Sequence, residues 1–271
     1  IGDVLLTGAT GFLGVHVLNE IIKHTQSKVY CLVRKGKANS IESRLKNMLV
    51  YYFSDGMDDL FGKRIIPIEG DITDKEIVSS LEKYDFKTVI NCAACVKHFT
   101  NDDTLERINV HGVENLISMC IKTGRRLVQI STTSVAGVNV NRKFPPEKKI
   151  HENELYFGQD LTNKYIDTKF RGEKAVLEAI ASDELDGKII RVGNLMSRNS
   201  DGEFQVNANT NGFMRFLRAY ATIGKFPVSS MDEAVEFSPI DCTAAAVICL
   251  AGTNSKFTVF QACNGHNVEM G

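Results

Sequence analysis

The 271-residue sequence predicts an α/β fold in which a parallel sheet is doubly wound with helices on both faces. Three observations carry this. Val4, Leu5 and Leu6 form a short apolar run closed by Thr7-Gly8, and Gly8, Gly11 and Gly14 follow at spacing three, leading into a helical stretch from Phe12 to His24. Five strand signals alternate with helix signals over the first 130 residues, which is the pattern of parallel strands joined by crossover helices. Hydrophobic residues make up 43% of the chain and charged residues 24%, enough apolar surface for a large core and too little charge for a disordered chain.

The opening turn is the most informative stretch. A tight turn from strand to helix aims free backbone N–H groups and the positive end of the helix dipole at one point. Glycines let a pyrophosphate approach that backbone closely. The expected dinucleotide contacts are Thr7, Gly8, Thr10, Gly11, Phe12, Leu13 and Gly14, in a Rossmann-type arrangement.

Val29 to Val33 is the second strand, ending at Arg34-Lys35. About twenty positions after the glycines, such folds choose their cofactor, with an acid accepting from the ribose 2′-OH of NAD. Here that position is Arg34, and no acid lies between Lys28 and Ile41. A guanidinium suits a 2′-phosphate, so NADPH is expected, with Lys35 beside it and Arg44 as a second clamp. Ile41 to Phe53 reads as a helix and Arg64 to Ile68 as a third strand. Asp71, with Ile72, then either faces the adenine or caps the following helix. Thr88 to Asn91 makes a fourth strand running into Cys92, Ala93 and Ala94, where small residues let the backbone lie along a cofactor. Thr104 to Thr123 reads as one long helix and Leu127 to Ile130 as a fifth strand. A polar loop with Pro145-Pro146 spans about Asn139 to Gly158, and Leu161 to Ala181 is the next helix. Lys188 to Val192 is a sixth strand, followed by a long loop marked by Asn194, Asn199 and Asp201. Asn211 to Ile223 reads as a helix, Phe237 to Ile240 and Cys242 to Ala251 as a strand and helix, and Phe257 to Gln261 as a last strand.

Composition excludes several classes. A net charge of -1 gives no support for nucleic acid or an anionic membrane as partner. No apolar run is long enough to span a bilayer, and no signal peptide is visible. Seven dispersed cysteines suggest reduced thiols in a cytosol, hence a cytoplasmic protein. Cys92 and Cys95 form a CxxC without a second pair, better read as small buried hydrophobes than as a metal site. Ile1 is not an initiator methionine, so the chain is read as a piece of something longer.

The chemistry is carried by Tyr165 and Lys169, four apart on one helix face. A phenol with a pKa near 10 is a poor acid–base group at neutral pH. A nearby ammonium would lower that value and let the phenol move a proton during hydride transfer. Ser131-Thr132-Thr133-Ser134, directly after the fifth strand, offers a hydroxyl to polarise the reacting oxygen.

The stretches VLLTGATGFLG, CLVRKG, GDIT, NCAACVKHF, INVHGVENL, ISTTSVAG, YIDTK, RVGNLMSR and FSPIDCTAAA run nearly end to end. Together they resemble an extended short-chain dehydrogenase/reductase. More narrowly, they resemble the thioester reductase domains that end nonribosomal peptide synthetases and carboxylic acid reductases. The resemblance implies a Thr132–Tyr165–Lys169 triad, with Ser131 as the neighbouring alternative to Thr132. It matches Asn109 to a family asparagine, and Arg191 and Asn194 to a loop lining the substrate channel. Val192 and Asn194 are taken with the cofactor contacts, as are Asn91, Ala93, Ala94 and Asn109. It further implies NADPH-dependent release of an acyl or peptidyl thioester from the phosphopantetheine arm of a carrier domain, as an aldehyde or onward to an alcohol. Family members continue past Gly271, so residues 1–192 are expected to form the NADP(H)-binding domain with the catalytic residues. Residues 193–271 are expected to contribute a smaller, truncated substrate-binding lobe and to return to the sheet. The rival readings are a nucleotide-sugar epimerase or dehydratase holding NAD, and a non-catalytic NADP-sensing module.

Overall fold

The computed structural model describes residues 1–36, 40–96, 102–137, 150–225 and 234–269. The expected loop at 139–158 lies largely outside the described residues.

In chain order the elements are β1 (Val4–Thr7), α1 (Phe12–His24), β2 (Val29–Val33), α2 (Ile41–Phe53), β3 (Ile65–Glu69), α3 (Lys75–Ser80), β4 (Thr88–Asn91), α4 (Thr104–Glu106), α5 (Gly112–Thr123), β5 (Arg126–Thr132), α6 (Lys164–Ala181), β6 (Gly187–Val192), β7 (Leu195–Met196), α7 (Gly212–Ile223), β8 (Ala234–Glu236), β9 (Ser238–Pro239), α8 (Ile240–Gly252), β10 (Val259–Ala262) and β11 (Asn267–Glu269). Seven strands form one sheet in the order β10-β6-β5-β4-β1-β2-β3, and every pairing in it is parallel. The order reverses between β1 and β4. At such a switch point the connecting helices leave to opposite faces, so a crevice opens at the carboxyl ends of the two strands.

The sheet is buried on both sides, which is why its strands are apolar runs and not alternating ones. One face packs Val4, Leu6, Val128, Ile130 and Ile190 against α1, α2 and α8. The other packs Leu5, Val89, Leu127 and Ile189 against α3, α5 and α6. The segment after Val192 returns to this sheet through β10 on its edge beside β6, and α8 adds Ala244, Val247 and Ala251 to the core beside α1. Among the described residues, no helix is long and apolar enough to cross a membrane.

The helix expected from Thr104 to Thr123 is interrupted. Arg107–His111 forms a π-helical turn between α4 and α5. A side-chain pattern slips by a single residue at such a turn, too little to disturb the periodicity. The expected start of α6 at Leu161 moves to Lys164, because Asn163 caps the helix by accepting from the Tyr165 and Ile166 N–H groups. Asp74, not Asp71, caps α3, accepting from Glu76 and Ile77 N–H.

Candidate active site

The turn between β1 and α1 lies at the crevice. Gly8 has φ +70°, and a Cβ there would come within 2.7 Å of the Cys92 carbonyl carbon and the Ala93 nitrogen at the end of β4. A Cβ on Gly14 would overlap the Gly8 carbonyl oxygen. The Gly11 N–H donates to that same oxygen at 2.8 Å, closing the turn. Gly11 is the N-cap of α1 and brings no side chain to it, so the first helical N–H groups are left for an anion. This donor set fits a dinucleotide pyrophosphate.

Behind the turn, Thr7 and Asn91 are buried and hold the ends of β1 and β4 together. The Thr7 hydroxyl donates to Asn91 Oδ1 at 2.5 Å, and Asn91 Nδ2 donates to Gln129 Oε1 at 2.8 Å. The Ala93 N–H donates to Thr7 Oγ1 at 3.3 Å. Leu13, Ile72 and Val192 are likewise core side chains. Thr10 lies half-exposed in the turn, and Ala94 is exposed just past β4. Phe12 packs edge-on against His16 and Phe204, at 5.3 and 5.6 Å between ring centroids.

At the end of β2, Arg34 is exposed and its guanidinium stands 4.0 Å from the Asp71 carboxylate. Asp71 also accepts from the Thr73 N–H at 2.9 Å, so it braces the turn after β3. Lys35 pairs with Glu69 at 3.9 Å. The Arg44 guanidinium donates to the Arg34 carbonyl, which brings both arginines to one corner of the cleft.

Tyr165, Lys169 and Thr132 converge at the carboxyl end of β5. All three are largely buried, at 9%, 7% and 7% exposed. Tyr165 shares a hydrogen bond with Thr132, and Lys169 Nζ donates to the Ile130 carbonyl at 2.8 Å. Thr132 Oγ1 also accepts from the Ser134 N–H at 3.1 Å, which seats the hydroxyl at the start of a short 3₁₀ turn. The neighbouring hydroxyl, Ser131, is engaged elsewhere: it donates to Glu173 Oε2 at 2.5 Å.

The electrostatics differ from expectation. Burial pushes the Tyr165 phenol above its ordinary 10, with the Thr132 hydrogen bond opposing. Burial draws Lys169 itself down to about 8, opposed by Glu173 and Cys92. The physical reason is burial: each group loses the water that would stabilise its charged form.

Arg191, Asn194 and Asn109 also hold the scaffold. Arg191 is 2% exposed and gives Nε and Nη2 to Glu173 Oε1 at 2.9 and 2.6 Å. The Asn194 side chain donates to the Glu236 carbonyl at 3.1 Å, and its N–H to the Glu236 carboxylate at 2.7 Å. Asn109, in the π turn, accepts from Cys95 N–H and donates to Cys95 carbonyl and Thr168 hydroxyl. Cys95 is buried and Cys92 half-buried, and burial pushes the Cys92 thiol up to about 12. Glu173, Gln129 and Glu236 were not singled out from sequence. For Glu173 a signal existed: an acid four residues beyond Lys169 on the helix face that the sheet covers.

The NAD-binding family described as male sterility protein matches residues 6–247. The chain belongs to this family. A thiolation-reductase di-domain from an archaeal nonribosomal peptide synthetase is similar at 46% identity and TM-score 0.91, over 99% of this chain and 57% of that one. The reductase domain of the aureusimine biosynthetic cluster is similar at 28% identity and TM-score 0.79, over 99% of this chain and 69% of that one. Among curated relatives, the isonitrile lipopeptide synthase of Streptomyces coeruleorubidus is 26% identical over 92% of this chain and 16% of its own length. The chain thus spans a small part of such synthases.

Proposed function

We propose that this male sterility family domain catalyses NADPH-dependent reductive release of an acyl or peptidyl thioester from a carrier domain of the same polypeptide, in the cytosol. The observation that carries the reading is the Tyr165–Thr132 hydrogen bond beside buried Lys169, at the carboxyl ends of the strands, where the glycine turn also lies. The relatives add the context: one is a thiolation-reductase di-domain.

Gly8 to Gly14 would hold the pyrophosphate, and Arg34 and Arg44 the 2′-phosphate. When bound, NADPH supplies a hydride to the thioester carbonyl carbon. Thr132 and Tyr165 then donate hydrogen bonds to the carbonyl oxygen as it takes on charge. The buried phenol, held protonated, transfers its proton to that oxygen, and Lys169 stabilises the phenolate left behind. Loss of the carrier thiol from the resulting hemithioacetal gives the aldehyde; a second reduction would give the alcohol. Arginine in place of an acid after β2 separates this reading from sugar-nucleotide enzymes that retain NAD.

The test is NADPH oxidation with an acyl-pantetheine thioester, followed by product analysis. Tyr165→Phe is expected to lower kcat by about 10²- to 10⁴-fold while NADPH still binds. Equal rates in both proteins would refute the assignment.

A further inference from the structure

Three consecutive residues at the end of β5 are each held by a successive turn of α6. Thr132 meets Tyr165, the Ile130 carbonyl meets Lys169, and Ser131 meets Glu173. Glu173 is 1% exposed. Its two carboxylate oxygens are shared between the Ser131 hydroxyl and the Arg191 guanidinium. Ser131 and Arg191 are themselves register partners on the parallel strands β5 and β6. Arg191 continues outward, donating to the Glu154 carbonyl at 2.9 Å.

A buried carboxylate is expensive unless something uses it. We propose that Glu173 is a positioning residue for the Tyr165–Lys169 pair: its carboxylate locks α6 in register with the end of β5 and supplies the negative charge that holds the buried Lys169 ammonium. This rests on the reductase reading above. The surroundings of Lys169 support the assignment. Cys92 faces it from the end of β4, Tyr165 lies one helical turn before it, and Glu173 one turn after. Arg191, from β6, stands on the other side of the Glu173 carboxylate. Among the groups acting on Lys169, Glu173 is the foremost opponent of its desolvation, and the Cys92 thiol is pushed up by burial and stays neutral at ordinary pH.

The test follows the Lys169 13Cε NMR resonance against pH, alongside the alkaline limb of kcat. Glu173→Gln removes the charge but strands a buried guanidinium, so it is paired with a double variant, Glu173→Leu with Arg191→Met, which removes both charges. In whichever of these folds, the midpoint is expected to drop by about one pH unit and the kcat limb to move with it. Ser131→Ala, which keeps both charges, is expected to lower thermal stability and leave the midpoint in place. An unmoved midpoint in the folded double variant overturns the proposal. Should the wild type fail to oxidise NADPH with a thioester, the reductase reading falls, and the NMR midpoint still decides the role of Glu173.

Discussion

Lys169 carries a charge where water is scarce, and its behaviour with pH follows from that. Burial lowers its pKa from 10.5 to about 8. Below pH 8 the ammonium is present in both folded and unfolded chains, and the folded state bears the whole cost of burying it. Between about 8 and 10.5 the unfolded chain keeps a proton that the folded chain has released. Stability due to this group therefore rises with pH across that window, by roughly 3 kcal/mol in total. Urea unfolding of Lys169→Met and wild type should show the stability difference, variant minus wild type, falling by about that amount from pH 7 to pH 10.5. The trend is the readout, since the variant also loses the bond to the Ile130 carbonyl. Catalysis runs the other way: the reductase mechanism uses the ammonium, so kcat should fall above pH 8. Tyr165, Lys169 and Thr132 were legible because four-residue spacing on a helix and a hydroxyl after a strand are patterns in one dimension. Which of the two hydroxyls, Thr132 or Ser131, meets Tyr165 was not, because it depends on how α6 lies against the end of β5.

Helix ends decide where these side chains stand. Tyr165 is the second residue of α6, and the Asn163 side chain fixes that end by accepting from its N–H at 3.0 Å. Asn163→Ala should cost about 1 kcal/mol, read as a lower thermal midpoint. Because the first turn carries the phenol, kcat should fall more than the affinity for NADPH does. The bounds of α1, β2, α2 and β4 follow directly from their apolar periodicity. The strands β7, β8, β9 and β11 have two or three residues each, too few for any alternation to register. The π turn escaped for a related reason, yet it is what presents Asn109 to Cys95 and Thr168. A Cβ on Gly172 would overlap the Asn109 carbonyl oxygen, so α6 approaches this turn as closely as a backbone can.

Across the molecule, the sheet order sets one crevice between β1 and β4, and the proposed cofactor spans it from Arg34 to Tyr165. A ligand that binds only the folded state stabilises it by mass action, by about 2.7 kcal/mol at a hundredfold excess over Kd. NADPH should therefore raise the melting temperature more than equal NADH. In Arg34→Glu the preference should fall by about tenfold in affinity, as a charged contact to the 2′-phosphate is lost. Calorimetric titration of both dinucleotides checks this. The parallel sheet was legible from strands alternating with helices; the order of its strands was not. The return of β10 beside β6 was foreseen as a strand, but its neighbour was not, since pairing between distant segments leaves no local mark.

The stretch after β6 hangs on one carboxylate. Glu236 accepts from the Asn194 N–H, the Asn264 N–H and the Ser238 hydroxyl, and any side chain on Gly193 would collide with it. A single methyl group at residue 193 would thus displace that carboxylate, and its bonds to Asn194, Ser238 and Asn264 would have to rearrange together, at a point where sequence shows only a glycine.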